Sequence, residues 1–292
     1  MNLKKIRTVI SISGPPFKWF FAISTFTAGY LIGSSGNYQL FELITAALIF
    51  GFLAQAGTRL INDYFDYDID KHQNSDPYQN TREIIKGDIG KDESLITGFM
   101  IYSIGIITAF IFLNILSSVM FLLIAITSYL YSKHMKKIFP LNTISINMIY
   151  GLYPIIAGYS IYGNFANIPN TLWIYILIGF FAGMASNNIK DITDIKGDKK
   201  YSVKNLATIY GKKKTITICA IFLLLSYFTL NIFIYTQHLP FQLIILNLLM
   251  FPIIIFIMPR LHSNNLNAKY ALPILAFHNI LFLILIPILI YL

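Results

Sequence analysis

The sequence predicts an all-α, polytopic membrane protein: a bundle of nine transmembrane helices with two aspartate-rich cytoplasmic cap loops. Three observations predict it. Of 292 residues, 56% are hydrophobic and only 12% are charged, about half the charge share of an ordinary soluble domain. Apolar runs long enough to cross about 30 Å of hydrocarbon recur along the whole chain. The basic residues fall only at the ends of these runs and in alternate loops.

The runs cover about 17–34, 41–60, 94–116, 117–132, 141–163, 171–189, 215–236, 240–259 and 271–292. Ahead of the first, Lys4, Lys5 and Arg7 resemble the charged start of a signal peptide. The "TVISISGPP" that follows is too short and too broken for its apolar core, so residues 1–16 are expected at the membrane surface. Lys18 and Arg59 mark the inner ends of runs one and two. Lys71, Arg82, Lys86 and Lys91 follow run two, and Lys133, Lys136 and Lys137 follow run four. A dense basic stretch, Lys190 to Lys214, separates runs six and seven, and Arg260 and Lys269 lead into run nine. All 22 Lys and Arg therefore lie on one side, and the loops near 35–40, 164–170 and 237–239 hold none. The positive-inside rule puts the N-terminus and the even-numbered loops in the cytoplasm and the C-terminus outside, in the cell's inner membrane. The net charge of +9 thus reports topology and contact with the lipid bilayer. It does not suggest nucleic acid, which wants a continuous basic track. The lone Cys219 falls inside run seven, which excludes a disulfide framework and favours a packed thiol. Residues 1–292 read as one domain.

The acids are as unevenly placed as the bases. Of 13 Asp and Glu, only Glu42 lies outside 63–93 and 191–198. In "INDYFDYDIDK", residues 61–71, Asp63, Asp66 and Asp70 stand at i, i+3 and i+7. On a helix continuing out of run two they share one face, with Arg59 and Asn62 about a turn back. Asp68 points elsewhere and is expected as a solvated charge. In "KDITDIKGDKK", residues 190–200, Asp191, Asp194 and Asp198 repeat the spacing, with Asn187 and Lys190 a turn back. Gly197 is placed to end that helix or to let its backbone approach a ligand.

Carboxylates this close need counter-ions. Hard cations with oxygen ligands supply them, and Mg²⁺ fits best because it takes one or two carboxylates and completes its shell with water and phosphate. Arg59, Arg82, Lys136 and Lys190 are the nearby bases that offset the charge of a bound diphosphate. An EF-hand counted from Asp66 fails, with Lys71 where Gly belongs and Pro77 where Glu belongs. The pattern of membrane phosphoalcohol transferases also fails, since no Gly follows Asp66 or Asp194. No Cys/His spacing suggests zinc.

Together, "NDYFDYDID" and "KDITDIKGDKK", placed after the second and sixth of nine spans, resemble the paired motifs of the UbiA superfamily of intramembrane prenyltransferases. The resemblance covers nearly the whole chain. It implies a helical bundle around a lipid-accessible cavity, capped by the motif loops at 62–70 and 191–198. It also implies an isoprenyl diphosphate donor held through Mg²⁺. By the same resemblance Asp63, Asp66, Asp70, Asp191, Asp194 and Asp198 bind metal, with Asp66 and Asp194 assigned as catalytic. Asn62, Arg59, Arg82, Lys136 and Lys190 hold the diphosphate, and Tyr153 in "GLYPIIAGY" is a candidate for the cavity wall. The sequence departs from the family pattern where no proline follows Arg82. It departs again in "NLATIYG", 205–211, where Asn205 and Ala207 replace the common Thr and Pro, and at Gly14-Pro15-Pro16 before run one.

The function so implied is Mg²⁺-dependent transfer of an isoprenyl group to an acceptor, with release of pyrophosphate. The form of the motifs is read as favouring a small aromatic quinone precursor over a glycerol-phosphate lipid or a chlorin. A cation transporter with an acidic vestibule is the rival from another class. It would be expected to carry ionisable groups within its spans, and these runs hold almost none.

Overall fold

The protein was analysed as a computed structural model that describes residues 17–72, 84–192, 195–236 and 253–263, with the single positions 11, 244 and 248. At 17–19, 69–72, 190 and 196 it describes the backbone alone. Every regular element among the described residues is helical. Helix α1 (Phe17–Ser34) is followed by α2 (Leu40–Ala46), which passes through a π-helical stretch, Ala47–Leu53, into α3 (Ala54–His72). Next come α4 (Lys91–Phe112), α5 (Ile115–Lys133) and a 3₁₀ turn, Met135–Lys137. A second π-helical stretch, Met148–Leu152, joins α6 (Leu141–Asn147) to α7 (Tyr153–Tyr159). The remaining helices are α8 (Asn170–Asp191), the short α9 (Ile195–Lys200), α10 (Leu206–Thr236) and α11 (Met258–His262).

Seven helical rods thus stand where the first seven apolar runs were expected. Five of the helices are long and apolar enough to cross a membrane, and Phe20–Ser34 is apolar but shorter. The eighth run is described only in part, and the ninth lies outside the described residues. Two boundaries differ from the sequence reading. Run three ends at Phe112 because Asn114 is fully extended and its Oδ1 accepts the Ser117 amide at 2.7 Å, capping α5. Leu113 and Ile115 are as apolar as their neighbours, so hydropathy could not show this corner. Run seven begins nine residues early, at Leu206 rather than 215, and breaks at Gly211, whose φ of 77° and ψ of 167° interrupt the helix.

The loops sort by end. At one end Glu42, in the first turn of α2, accepts from the hydroxyls of Tyr30 on α1 and Tyr162 in the turn after α7. Asn114, between α4 and α5, donates to the Ser160 carbonyl at 2.9 Å at that same end. At the other end, Lys136 after α5 meets Asp66 on α3, and Lys204 before α10 meets the Lys137 carbonyl. Among the described residues, the loops after runs one, three and five gather at one end, and the segments around the ends of runs two, four and six at the other.

Packing inside the bundle depends on close backbone approach, since lipid leaves little hydrophobic gain for helix pairing. Helices α1 and α7 touch backbone to backbone. A Cβ on Gly158 would lie 2.0 Å from the Phe26 carbonyl oxygen, and one on Gly29 would lie 2.0 Å from that of Ile155. Thr25 Oγ1 adds a bond to the Tyr150 carbonyl at 2.8 Å. Large apolar side chains on α4 and α5, among them Ile104, Ile107 and Ile126, remain exposed as a lipid-facing belt. Gly158→Ala is therefore expected to force α1 and α7 apart at a cost of about 3 kcal/mol, the upper end of ordinary overpacking. The check is a lowered melting temperature of the detergent-solubilised protein.

Candidate active site

Helix α3 carries the first motif into the bundle's basic end. Asp63 and Asp66 are 2% and 6% exposed, while Asp68 is on the outside. Asp68 pairs with Lys91 Nζ at 2.9 Å, a contact of two exposed groups. A buried carboxylate needs partners to stay ionised, and Asp66 has two. Asn62 Nδ2, one turn back, donates to its Oδ2 at 2.8 Å. Lys136 donates to its Oδ1 from the 3₁₀ turn after α5. Arg59 Nε approaches Asp63 Oδ2 at 4.0 Å along the same helix.

The second motif is built differently. Asp191 is the last residue of α8, Ile192 is a 3₁₀ residue buried in the cluster with Cys219 and Leu223, and α9 begins at Ile195. Asp198 therefore lies on a separate short helix, and Gly197 sits inside that helix rather than ending it. This corrects the expectation of two identical helical faces. A straight extension of α8 would carry Asp198 about 10 Å further along the axis from Asp191. The turn instead brings 198–205 back against the Lys136 loop, where Val203 N bonds to the Asp198 carbonyl at 2.9 Å and Lys204 N to that of Lys137 at 3.2 Å. The ends of both motifs thus meet at the turn that carries Lys136 and Lys137.

The other expected site residues fall as follows. Asp194 and Arg82 lie outside the described residues. Asp70 and Lys190 continue α3 and α8, with only their backbones described. Tyr153, expected on a cavity wall, is 7% exposed in the core cluster, its hydroxyl 3.2 Å from Thr127 Oγ1, which is a packing role.

Among the described residues no group of three or more His, Cys, Asp or Glu side chains stands close enough to cage a metal. The donor set still fits Mg²⁺. That ion uses one or two carboxylates and leaves its other positions to water and substrate phosphate. A cationic group, Lys136, already stands against Asp66, so the environment is one that accepts positive charge.

Sequence reasoning missed a polar seam between α6 and α8. Asn187 Nδ2 donates to Asn147 Oδ1 at 3.1 Å, and Thr143 Oγ1 donates to the fully buried Asn188 at 3.3 Å. The signal was present in "NTISIN", 142–147, whose polar residues interrupt an apolar run. It also missed Asn205, which bonds Asp198 and had registered only as a departure from a motif.

Residues 22–282 match the UbiA prenyltransferase family. The chain belongs to that family. It is 28% identical over 200 residues to the digeranylgeranylglyceryl phosphate synthase of Thermococcus kodakarensis, covering 68% of this chain and 67% of that one. The synthase of the same name from Saccharolobus solfataricus is 31% identical over 203 residues, covering 68% and 67%. In three dimensions the chain resembles a UbiA homologue from Archaeoglobus fulgidus solved with GPP and Mg²⁺, at a TM-score of 0.74 and 16% identity over 99% of both chains. The protein is a membrane prenyltransferase, which removes the transporter reading.

Removing one member of a buried ion pair costs about 3–5 kcal/mol because the other charge is left unanswered. Lys136→Met should therefore destabilise the protein by about that much. Adding Asp66→Asn should recover most of the loss in melting temperature, yet the double variant should still form no product.

Proposed function

We propose that this UbiA-family enzyme transfers an isoprenyl group from an isoprenyl diphosphate to the hydroxyl of a glycerol-phosphate lipid. The reaction uses Mg²⁺ and releases pyrophosphate. The observation that supports the donor half is that the Lys136–Lys137 turn joins the two motifs, with Lys136 bonded to Asp66 and the Lys137 carbonyl bonded to the strap that holds Asp198. Asp63, Asp66, Asp70, Asp191, Asp194 and Asp198 would hold the metal, which when bound supplies positive charge to the leaving diphosphate. Lys136, Arg59, Arg82 and Lys190 offset the anionic charge that remains. Asn62 fixes the orientation of Asp66 through the 2.8 Å bond. Asp66 and Asp194, at the middle of each motif, are the pair on which ionisation of the donor depends.

The bond from the allylic carbon to the diphosphate oxygen breaks with its electron pair. A new ether bond forms between that carbon and the acceptor oxygen, and the hydroxyl proton leaves with pyrophosphate. The apolar bundle keeps the prenyl chain from bulk water, so the acceptor hydroxyl competes well for the cation.

The sequence reading favoured an aromatic acceptor. The Thermococcus and Saccharolobus relatives, both named for making digeranylgeranylglyceryl phosphate, favour the glycerol-phosphate alternative instead. Such an acceptor brings a second phosphate to the membrane surface, which suits the excess of Lys at this end of the bundle. The full chain reads as nine spans with both motif caps on the cytoplasmic side of the inner membrane. The absence of Lys and Arg from the opposite loops supports that orientation.

The test supplies geranylgeranyl diphosphate and Mg²⁺ to membranes containing the protein, with a monoprenyl glycerol phosphate or 4-hydroxybenzoate as acceptor, and reads products by mass spectrometry. The expected outcome is a chelator-sensitive gain of one geranylgeranyl group on the glycerol phosphate alone. A product only on the aromatic acid would return the reading to quinone precursors.

A further inference from the structure

We propose that Asn205 is a positioning residue that locks Asp198 of the second motif in register with Lys136. The inference rests on the prenyl-diphosphate reading of this site and extends it to a residue outside both motifs. Asn205 is 2% exposed, and its side chain bonds in two directions. Its Nδ2 donates to Asp198 Oδ2 at 2.6 Å. Its Oδ1 accepts the Thr208 amide at 2.8 Å, and its own amide donates to Thr208 Oγ1 at 2.9 Å, a reciprocal cap on the start of α10. The chemistry fixes which way the amide faces, since an oxygen turned toward Asp198 would oppose a carboxylate and leave the Thr208 amide without an acceptor.

The preceding residue completes the clasp. Lys204 N bonds to the Lys137 carbonyl at 3.2 Å, inside the turn that carries Lys136 to Asp66. A continuous path therefore runs from Asp66 through Lys136 and the backbone at 137 and 204 to Asn205 and Asp198. The segment that Asn205 caps, ahead of the break at Gly211, is anchored in the bundle through Ala207, which is fully buried in the cluster with Ala185 and Ile189 of α8. Through its cap, Asn205 refers the Asp198 carboxylate to that fixed frame. The bond ties Asp198, on the six-residue helix α9, to a residue outside that helix.

Partners that orient a metal-binding carboxylate are worth roughly 10–100-fold in metal affinity, so the readout is binding rather than turnover. The full-length protein is titrated with Mg²⁺ while uptake of a non-hydrolysable geranylgeranyl thiodiphosphate is followed, and melting temperatures are measured in parallel. Asn205→Gly removes the donor but leaves a tolerated helix cap, whereas Asn205→Ala removes both. Both variants are expected to raise the half-saturating Mg²⁺ concentration by about tenfold, with a clear drop in melting temperature only for the alanine variant. In an Asp198→Asn background, Asn205→Gly should produce no further shift. Unchanged Mg²⁺ dependence in both variants, beside a wild type that binds the analogue, would overturn the inference and leave Asn205 as a cap alone. A wild type that takes up no analogue at any Mg²⁺ concentration would overturn the proposed function, and the inference with it.

Discussion

The ion pair between Lys136 and Asp66 is the contact on which the basic end of the bundle is organised. Two carboxylates on α3, Asp63 and Asp66, are buried where the helix leaves the apolar interior. Charge held there without compensation is costly. Arg59 and Asn62 answer it from the same helix, and Lys136 answers it from another part of the chain. That long-range bond fixes the 135–137 turn, and the turn offers its carbonyl at 137 to the strap that carries Asn205. The second motif is thus referred to the first through one lysine and a few backbone atoms.

This arrangement follows from helix direction. Rods that alternate in direction bring every second end together, so the end of α3 meets the described segments after α5 and α8 without any special device. The charge pattern and the geometry are then two expressions of one constraint. The end of the bundle where the buried carboxylates of α3 stand is also the end where the bases gather. The opposite end shows the contrast. Glu42 stands there with two tyrosine hydroxyls and no Lys or Arg in the adjoining loops, and its contacts tie α2 to α1 and to the turn after α7.

Much of this was legible in the sequence because membrane insertion imposes a coarse code. An apolar run of sufficient length must be a helix, since no other segment satisfies its own backbone in lipid. That is why seven rods fall near their expected places, and why Asp63, Asp66 and Asn62 share a face as their spacing requires. The corner at Asn114 and the break at Gly211 were not legible, because each depends on local backbone geometry that hydropathy averages away. The second motif misled for a related reason. Its D-x-x-D-x-x-x-D spacing copies the first, yet spacing carries helical meaning only if the helix continues, and here it ends after Asp191. Asn205 could be seen only as a departure from a pattern, since its value lies in contacts with Asp198 and Thr208 that the loop must first fold to create.

The acceptor was the least legible feature, and the reason is physical. Holding a diphosphate needs charge and hard oxygen ligands, so it leaves a compact signature of Asp, Asn, Lys and Arg. Choosing between a hydroxyl on glycerol phosphate and a carbon on an aromatic ring needs only shape and a few polar contacts inside an apolar bundle. Several of the polar groups that the described bundle buries bond one another. Tyr150 bonds Gln55, Thr58 bonds Tyr102 and Ser128, and Asn147 bonds Asn187. Such satisfied networks hold helices together and carry no readable preference for a ligand. One difference does survive at the level of charge. An aromatic acid asks the membrane surface for one anion site beyond the donor's, at the strength of a carboxylate, whereas a glycerol phosphate asks for a phosphate site. Arg59, Lys136, Lys137 and Lys204 stand at one end of the bundle, and the two demands differ in how many such bases each would occupy. The distinction lies in the number and placement of bases around the motifs, not in the motifs themselves.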